Sequence, residues 1–116
     1  MSKNISVIVP CYRSEKSLDE LVNRLSDTLK DDLLEIILIN DSSPDNTWKK
    51  ITELAQTYSF VRGINLMRNF GQHSAIFCGF NHTSGDYVIT IDDDLQNPPE
   101  EIIRMIEELE KDISLD

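Results

Sequence analysis

One pattern occurs four times along this chain: a short apolar run, closed by polar or turn-forming residues, then a stretch with helical periodicity. The runs are Ile5 to Val9 (ISVIV), Glu35 to Ile39 (EIILI), Val61 to Leu66 (VRGINL, interrupted by Gly63) and Tyr87 to Ile91 (YVITI). Strands that are apolar without alternation have both faces covered. Strands separated by helices pair in parallel through right-handed crossovers. The pattern therefore predicts an α/β fold, a parallel sheet with helices on both faces.

The helical stretches carry their own signals. Leu18, Leu21, Val22, Leu25 and Leu29 lie on one helical face, and Ser17 with Glu20 reads as a capping box. Ser42, Ser43 and Pro44 read as a cap and a first-turn proline for a helix facing the core with Trp48, Ile51, Leu54 and Ala55. Asn69, Phe70 and Gly71 form a turn before a helix from about Gln72 to Asn81, in which Gly79 predicts a close approach to the sheet. Ser84 and Gly85 break the chain, and Asn97, Pro98 and Glu100 open a last helix with a second capping box.

Neither a repeat nor a linker interrupts the 116 residues, so residues 1–116 read as one domain. A formal charge of −10 argues against nucleic acid as a partner. No apolar run reaches the length of a membrane span, and MSKNISVIVP reads as a first strand rather than a signal peptide. Cys11 and Cys78 stand far apart without CxxC spacing, which points to a reduced, cytoplasmic setting without disulfide or zinc. The absence of GxGxxG, GxxxxGK[ST] and GxSxG disfavours dinucleotide, P-loop and serine-hydrolase chemistry.

In a parallel α/β sheet, ligands bind outside the carboxyl ends of the strands. Four segments follow those ends: PCYRS (Pro10 to Ser14), NDSS (Asn40 to Ser43), MRNFG (Met67 to Gly71) and DDDLQN (Asp92 to Asn97). Asp92, Asp93 and Asp94 repel one another, by about 1 kcal/mol per pair in water and several times more when partly buried. Either solvent screens them in an acidic turn, or a cation does. In the second case Asp92 and Asp94 share one space while Asp93 turns away or caps a backbone amide, and Gln96 adds an amide oxygen. Asp41 fits an Asx turn, or a carboxylate accepting from a base or ribose. Tyr12 can stack on a nucleobase or cover the core edge. Arg68 can grip phosphate or remain a surface charge. His73, lacking a partner at metal-ligand spacing, reads as a capping or packing residue, and His82 has no context.

Taken in order, VIVPCYRSE, EIILINDSSPDNT, MRNFGQHSAIFCGF and SGDYVITIDDDLQNPPEEI resemble family 2 glycosyltransferases of the GT-A fold, over Ile5 to Glu110. More narrowly they resemble the polyprenyl-phosphate sugar transferases, with RNFGQHSA and DDDLQNPPEEI nearest the bacterial aminoarabinose branch. The resemblance implies that Asp92 to Asp94 occupy a DxD motif, with Asp92, Asp94 and Gln96 on Mg2+ or Mn2+ that bridges the donor diphosphate. It places Pro10, Tyr12, Ile39, Asp41 and Arg68 along the nucleotide, Asp93 beside it, and Asn69 next to the donor.

The implied reaction is inverting transfer from a nucleotide-diphosphate sugar to a polyprenyl phosphate, at the cytoplasmic face of a membrane. Transfer to a saccharide hydroxyl in surface polysaccharide synthesis, or an inactive nucleotide-binding module, are the alternatives. The sequence departs from the pattern at Asn40, where an aspartate is common, and at Ser14, where an acidic residue is often found. Family members continue beyond the point corresponding to Asp116, so the chain reads as the amino-terminal, donor-binding half. Its fourth strand is then expected to leave an edge open to self-association.

Overall fold

The computed structural model describes residues 3–66, 71–96 and 98–114. Strands β1 (Ile5–Cys11), β2 (Leu33–Asn40), β3 (Val61–Asn65) and β4 (Tyr87–Thr90) alternate with helices α1 (Leu18–Leu29), α2 (Thr47–Thr57), α3 (Gln72–Phe80) and α4 (Glu101–Ser114). All pairings are parallel and the strand order is β3-β2-β1-β4. The chain steps from β1 outward to β2 and β3, then returns to place β4 on the other side of β1. That reversal creates a switch point at the carboxyl ends of β1 and β4, where α/β sheets open a crevice.

Side-chain parity divides the core between the two faces. Val7, Val9 and Cys11 of β1 with Ile36 and Leu38 of β2 pack under α1, α2 and α4. Ile8, Ile37 and Ile39 pack on the opposite face, against Ala75 of α3. Helix α1 buries its whole predicted stripe, Leu18, Leu21, Val22, Leu25 and Leu29, each side chain worth about 2 kcal/mol of transfer free energy. Gly79 lets α3 lie on the sheet: a Cβ there would stand 2.6 Å from Ile8 Cγ2 and 2.8 Å from Ile39 Cδ1. Gly63 does the same for α2, since its Cβ would meet Ile51 Cγ2 at 2.6 Å.

Two predicted helix starts are corrected. Ser17 precedes α1 but makes no side-chain cap; its hydroxyl donates instead to the Ser14 and Asp93 carbonyl oxygens, at 3.2 and 2.6 Å. Pro44 is not in the first turn of α2, which begins at Thr47 with Asn46 before it, because Asp45 accepts the Thr47 N–H at 3.1 Å. The expected cap of α4, Asn97, lies outside the described residues. Helix α4 itself begins at Glu101, and Glu100 pairs with Arg24 of α1 at 2.6 Å.

At the amino-terminal edge of the sheet, Glu35 is 6% exposed yet well supplied with donors. It accepts from Ser6 Oγ at 2.6 Å, the Ser84 N–H at 2.7 Å and Arg62 at 3.1 Å, and Ser6 Oγ in turn accepts the Gly85 N–H at 2.9 Å. Burial alone would push the Glu35 carboxyl up, but these donors together hold it below its usual range. Among the described residues β4 pairs only with β1, and Met105 and Leu109 of the adjoining α4 are exposed. No helix among the described residues is long and apolar enough to cross a membrane.

Candidate functional site

An open crevice of about 520 Å³ lies at the carboxyl ends of β1, β2 and β4. Pro10, Cys11, Tyr12, Asp41, Gly71, Asp92, Asp93, Asp94 and Gln96 line it. Seven of the ten residues to which the resemblance gives a site role are thus brought together. Ile39 is not on the wall: its side chain is fully buried beneath α3, so it backs the crevice rather than facing it. Arg68 and Asn69, and the side chain of His73, lie outside the described residues. His82 closes α3, its ring nitrogen 2.9 Å from the Cys78 carbonyl oxygen.

The three aspartates after β4 do different things. Asp93 Oδ2 accepts the Tyr12 N–H at 2.9 Å, so its carboxylate caps a backbone amide of the β1–α1 loop, as the sequence allowed. Burial raises the Asp93 carboxyl above the usual range, and the neighbouring Asp94 charge adds to it. Asp94 is exposed and accepts the Gln96 N–H at 3.2 Å. Asp92 and Asp94 face the same crevice as Gln96. Asp41 is 5% exposed and accepts the Gly71 N–H at 3.0 Å, which joins the β2 loop to the start of α3.

Cys11 is a neutral floor residue rather than a nucleophile. Burial, reinforced by the Asp93 charge, pushes its thiol well above the range in which a thiolate forms, and Sγ donates to the Val9 carbonyl oxygen at 3.3 Å. Tyr12 is 43% exposed, with the Arg13 guanidinium 5.6 Å from its ring centre, so one face remains available for stacking.

The strand-end loops are also strained. Arg13, Ser42 and Leu95, one in each of three loops, hold positive φ of 53, 56 and 66°. Left-handed backbone costs a non-glycine residue roughly 1–2 kcal/mol, so surrounding contacts must hold it in place.

The crevice wall carries four aspartates and, among the described residues, no lysine or arginine. Like charges near a protein surface repel by about 4 kcal/mol at 4 Å, so these four carboxylates favour a phosphorylated ligand that brings a cation with it. Among the described residues no three His, Cys, Asp or Glu side chains converge as a complete metal cage. Two carboxylates and an amide oxygen are instead a partial set of hard donors, which suits a cation that shares its shell with phosphate oxygens and water.

The family model for glycosyl transferase family 2 matches residues 6–115. The chain belongs to glycosyl transferase family 2. It is 47% identical over 113 residues to an undecaprenyl-phosphate 4-deoxy-4-formamido-L-arabinose transferase of Klebsiella pneumoniae (strain 342), covering 94% of this chain and 34% of that protein. The chain therefore spans about a third of this curated relative. Among solved structures, a mannosyltransferase from Pyrobaculum calidifontis in complex with GDP-Man and Mn2+ superposes with TM-score 0.75 at 20% identity, over 89% of this chain and 31% of that one. Residues 1–349 of S. aureus TarS in complex with UDP-GlcNAc superpose with TM-score 0.71 at 27% identity, over 90% of this chain and 30% of that one. The fold is that of the GT-A glycosyltransferases, and the described part holds a four-stranded portion of it.

The sequence did not single out Gly71 or Cys11 as crevice residues. The first had a usable signal, an Asn-Phe-Gly turn after a strand. The second had none, since a cysteine after an apolar run reads only as core.

Proposed function

We propose that this chain is the donor-binding part of an inverting glycosyltransferase that takes a nucleotide-diphosphate sugar and delivers the sugar to a polyprenyl phosphate. One observation carries the reading: seven of the residues that the resemblance assigns to the donor line one crevice, whose four aspartates favour a diphosphate that brings a cation. The undecaprenyl phosphate in the name of the Klebsiella pneumoniae relative supports the acceptor class. A lipid-phosphate acceptor would bring the working protein to a membrane face.

In this reading Asp92, Asp94 and Gln96 hold Mg2+ or Mn2+. When bound, the cation supplies Lewis-acid neutralisation of the leaving diphosphate. Asp41 accepts hydrogen bonds from the base or ribose, and Tyr12 stacks on the base. Pro10, its φ fixed, shapes the wall between them. Asp93 holds the Tyr12 amide, so that the ring is presented in a set orientation. An acceptor phosphate is already an anion and needs no proton removed before it attacks, so this reading assigns no general base.

Calorimetric titration of the chain with UDP and with GDP, each with Mn2+, with Mg2+ and with neither, tests this. Metal-dependent binding that is lost by at least about tenfold in Asp94→Ala is expected. The unfolding free energy of that variant should stay within about 0.5 kcal/mol of the parent, because Asp94 is exposed. Equal binding by parent and variant, or none by the parent, would overturn the reading. The open side of β4 is a candidate for self-association, and a monodisperse monomer by light scattering at high concentration would count against it.

A further inference from the structure

Three consecutive backbone amides of the β1–α1 loop donate to side chains from two other loops and the start of α2. The Tyr12 N–H goes to Asp93 Oδ2 at 2.9 Å, the Arg13 N–H to Ser43 Oγ at 2.8 Å, and the Ser14 N–H to Thr47 Oγ1 at 2.9 Å. Both hydroxyls also contact one carboxylate oxygen. Asp45 Oδ1 lies 2.5 Å from Ser43 Oγ and 2.6 Å from Thr47 Oγ1, and it accepts the Thr47 N–H at 3.1 Å as well.

The direction of these bonds follows from donor and acceptor capacity. A hydroxyl oxygen that accepts an amide proton must turn its own proton elsewhere, and only an acceptor can receive it. The Asp45 carboxylate is that acceptor for both. Through Ser43 and Thr47 one carboxylate oxygen therefore holds two amides of the β1–α1 loop indirectly. Asp45 is not on the crevice wall.

The held segment is under strain. Arg13 at φ 53° and Ser42 at φ 56° flank this relay on its two loops, and neither is glycine. The relay holds the Arg13 and Ser14 amides and so opposes relaxation of Arg13 towards an ordinary conformation. Such relaxation would move Tyr12, the ring at the mouth of the crevice. Burial would raise the Asp45 carboxyl, but the Ser43 and Thr47 donors outweigh it and hold it below its usual range, in keeping with an acceptor that stays charged.

We propose that Asp45 is a positioning residue of the donor site, orienting the Ser43 and Thr47 hydroxyls so that they fix Arg13, Ser14 and hence the Tyr12 ring. The donor part of this statement rests on the nucleotide reading above; the loop part stands on geometry alone. Asp45 also caps the first turn of α2, and the test must separate the two roles.

The experiment compares Asp45→Ala, Asp45→Asn and Ser43→Ala by amide hydrogen exchange and by titration with UDP and GDP in Mn2+. Asp45→Ala should speed exchange at Arg13 and Ser14 by at least about tenfold while amides in the middle of β1 keep their protection, and should weaken nucleotide binding by about tenfold. Asp45→Asn keeps an acceptor oxygen and should recover most of both effects. Ser43→Ala leaves the Thr47 cap intact and should free the Arg13 amide alone, with a smaller loss of binding. It also serves if Asp45→Ala fails to fold.

Unchanged exchange at Arg13 in Ser43→Ala, or acceleration confined to the first turn of α2 in Asp45→Ala, would overturn the proposal. So would parent-like nucleotide binding by both variants. If the parent itself binds no nucleotide, the donor reading fails and takes the donor part of this inference with it, while exchange still decides whether Asp45 holds the loop.

Discussion

At the amino-terminal edge of the sheet Glu35 meets donors from Ser6, Arg62 and Ser84, while at the carboxyl-terminal edge Asp92, Asp93 and Asp94 stand next to one another around an open crevice. Both edges place carboxylates at strand ends, but their electrostatics run in opposite directions. The donors around Glu35 hold its carboxyl down; burial and a like-charged neighbour hold Asp93 up. A carboxylate whose charge is fully met is a fastening. One whose charge is poorly met is a standing cost, which a bound cation would offset. The contrast gives a physical basis for assigning structure to one edge and chemistry to the other.

The largest effect should come from removing the fastening. Glu35→Ala leaves the buried Ser6 hydroxyl and the partly buried Ser84 N–H without that acceptor, which should destabilise the fold by about 3 kcal/mol in urea unfolding. The effect should appear first in β4, which the Ser84–Gly85 turn delivers to β1. A loss below about 0.5 kcal/mol would mean that the two edges do not differ as described.

Acid titration sharpens the same contrast, because the signs are opposite. Glu35 has a depressed folded pKa, so its contribution is fully present above the ordinary glutamate value and is lost as pH falls through the folded one. Asp93 has a raised folded pKa, so its ionised form costs stability near neutrality, and that cost is relieved as pH falls through the folded value. Asp93→Asn should therefore raise stability at pH 7 by up to about 1 kcal/mol and flatten the upper part of the pH profile. Glu35→Gln should flatten the lower part. Thermal unfolding between pH 3 and pH 8 reads both, and an Asp93→Asn variant that is less stable at every pH would remove the distinction.

How much of this was visible in the sequence divides along the same line. The repeated apolar runs, each closed by turn residues and followed by a helical stripe, were enough to place four strands and four helices. They did so although only β1 and most of β2 are buried, and β3 and β4 are partly exposed. Strand order was not legible: β4 sits beside β1 because of crossover packing, and no local residue pattern encodes that. At the site, the types and order of Asp41, Asp92, Asp94 and Gln96 pointed to the crevice, because polar residues after apolar strands have one edge to occupy. The relay through Asp45 was hidden behind cap signals. Ser17 and Pro44 looked like helix starts, yet Ser17 fastens the Asp93 loop and Pro44 lies in the turn before α2. A side chain able to cap a helix can equally bond a neighbouring loop, and tertiary contact decides which.

The smallest effect concerns the strain itself. Of the five non-glycine residues at positive φ among the described residues, Asn4 lies at the fastened edge, while Arg13, Ser42 and Leu95 lie in the site loops. Asparagine tolerates the left-handed region, so Asn4→Gly should change stability little. Ser42→Gly relieves roughly 1–2 kcal/mol of strain but adds chain entropy to the unfolded state, leaving a gain of about 0.5 kcal/mol. If the strain serves the site, that gain should come with weaker nucleotide binding, because the glycine lets the Asp41 loop sample conformations that the serine excludes. A Ser42→Gly variant that is more stable and binds as tightly as the parent would show that Asp45 and Asp93 alone keep the loops in place.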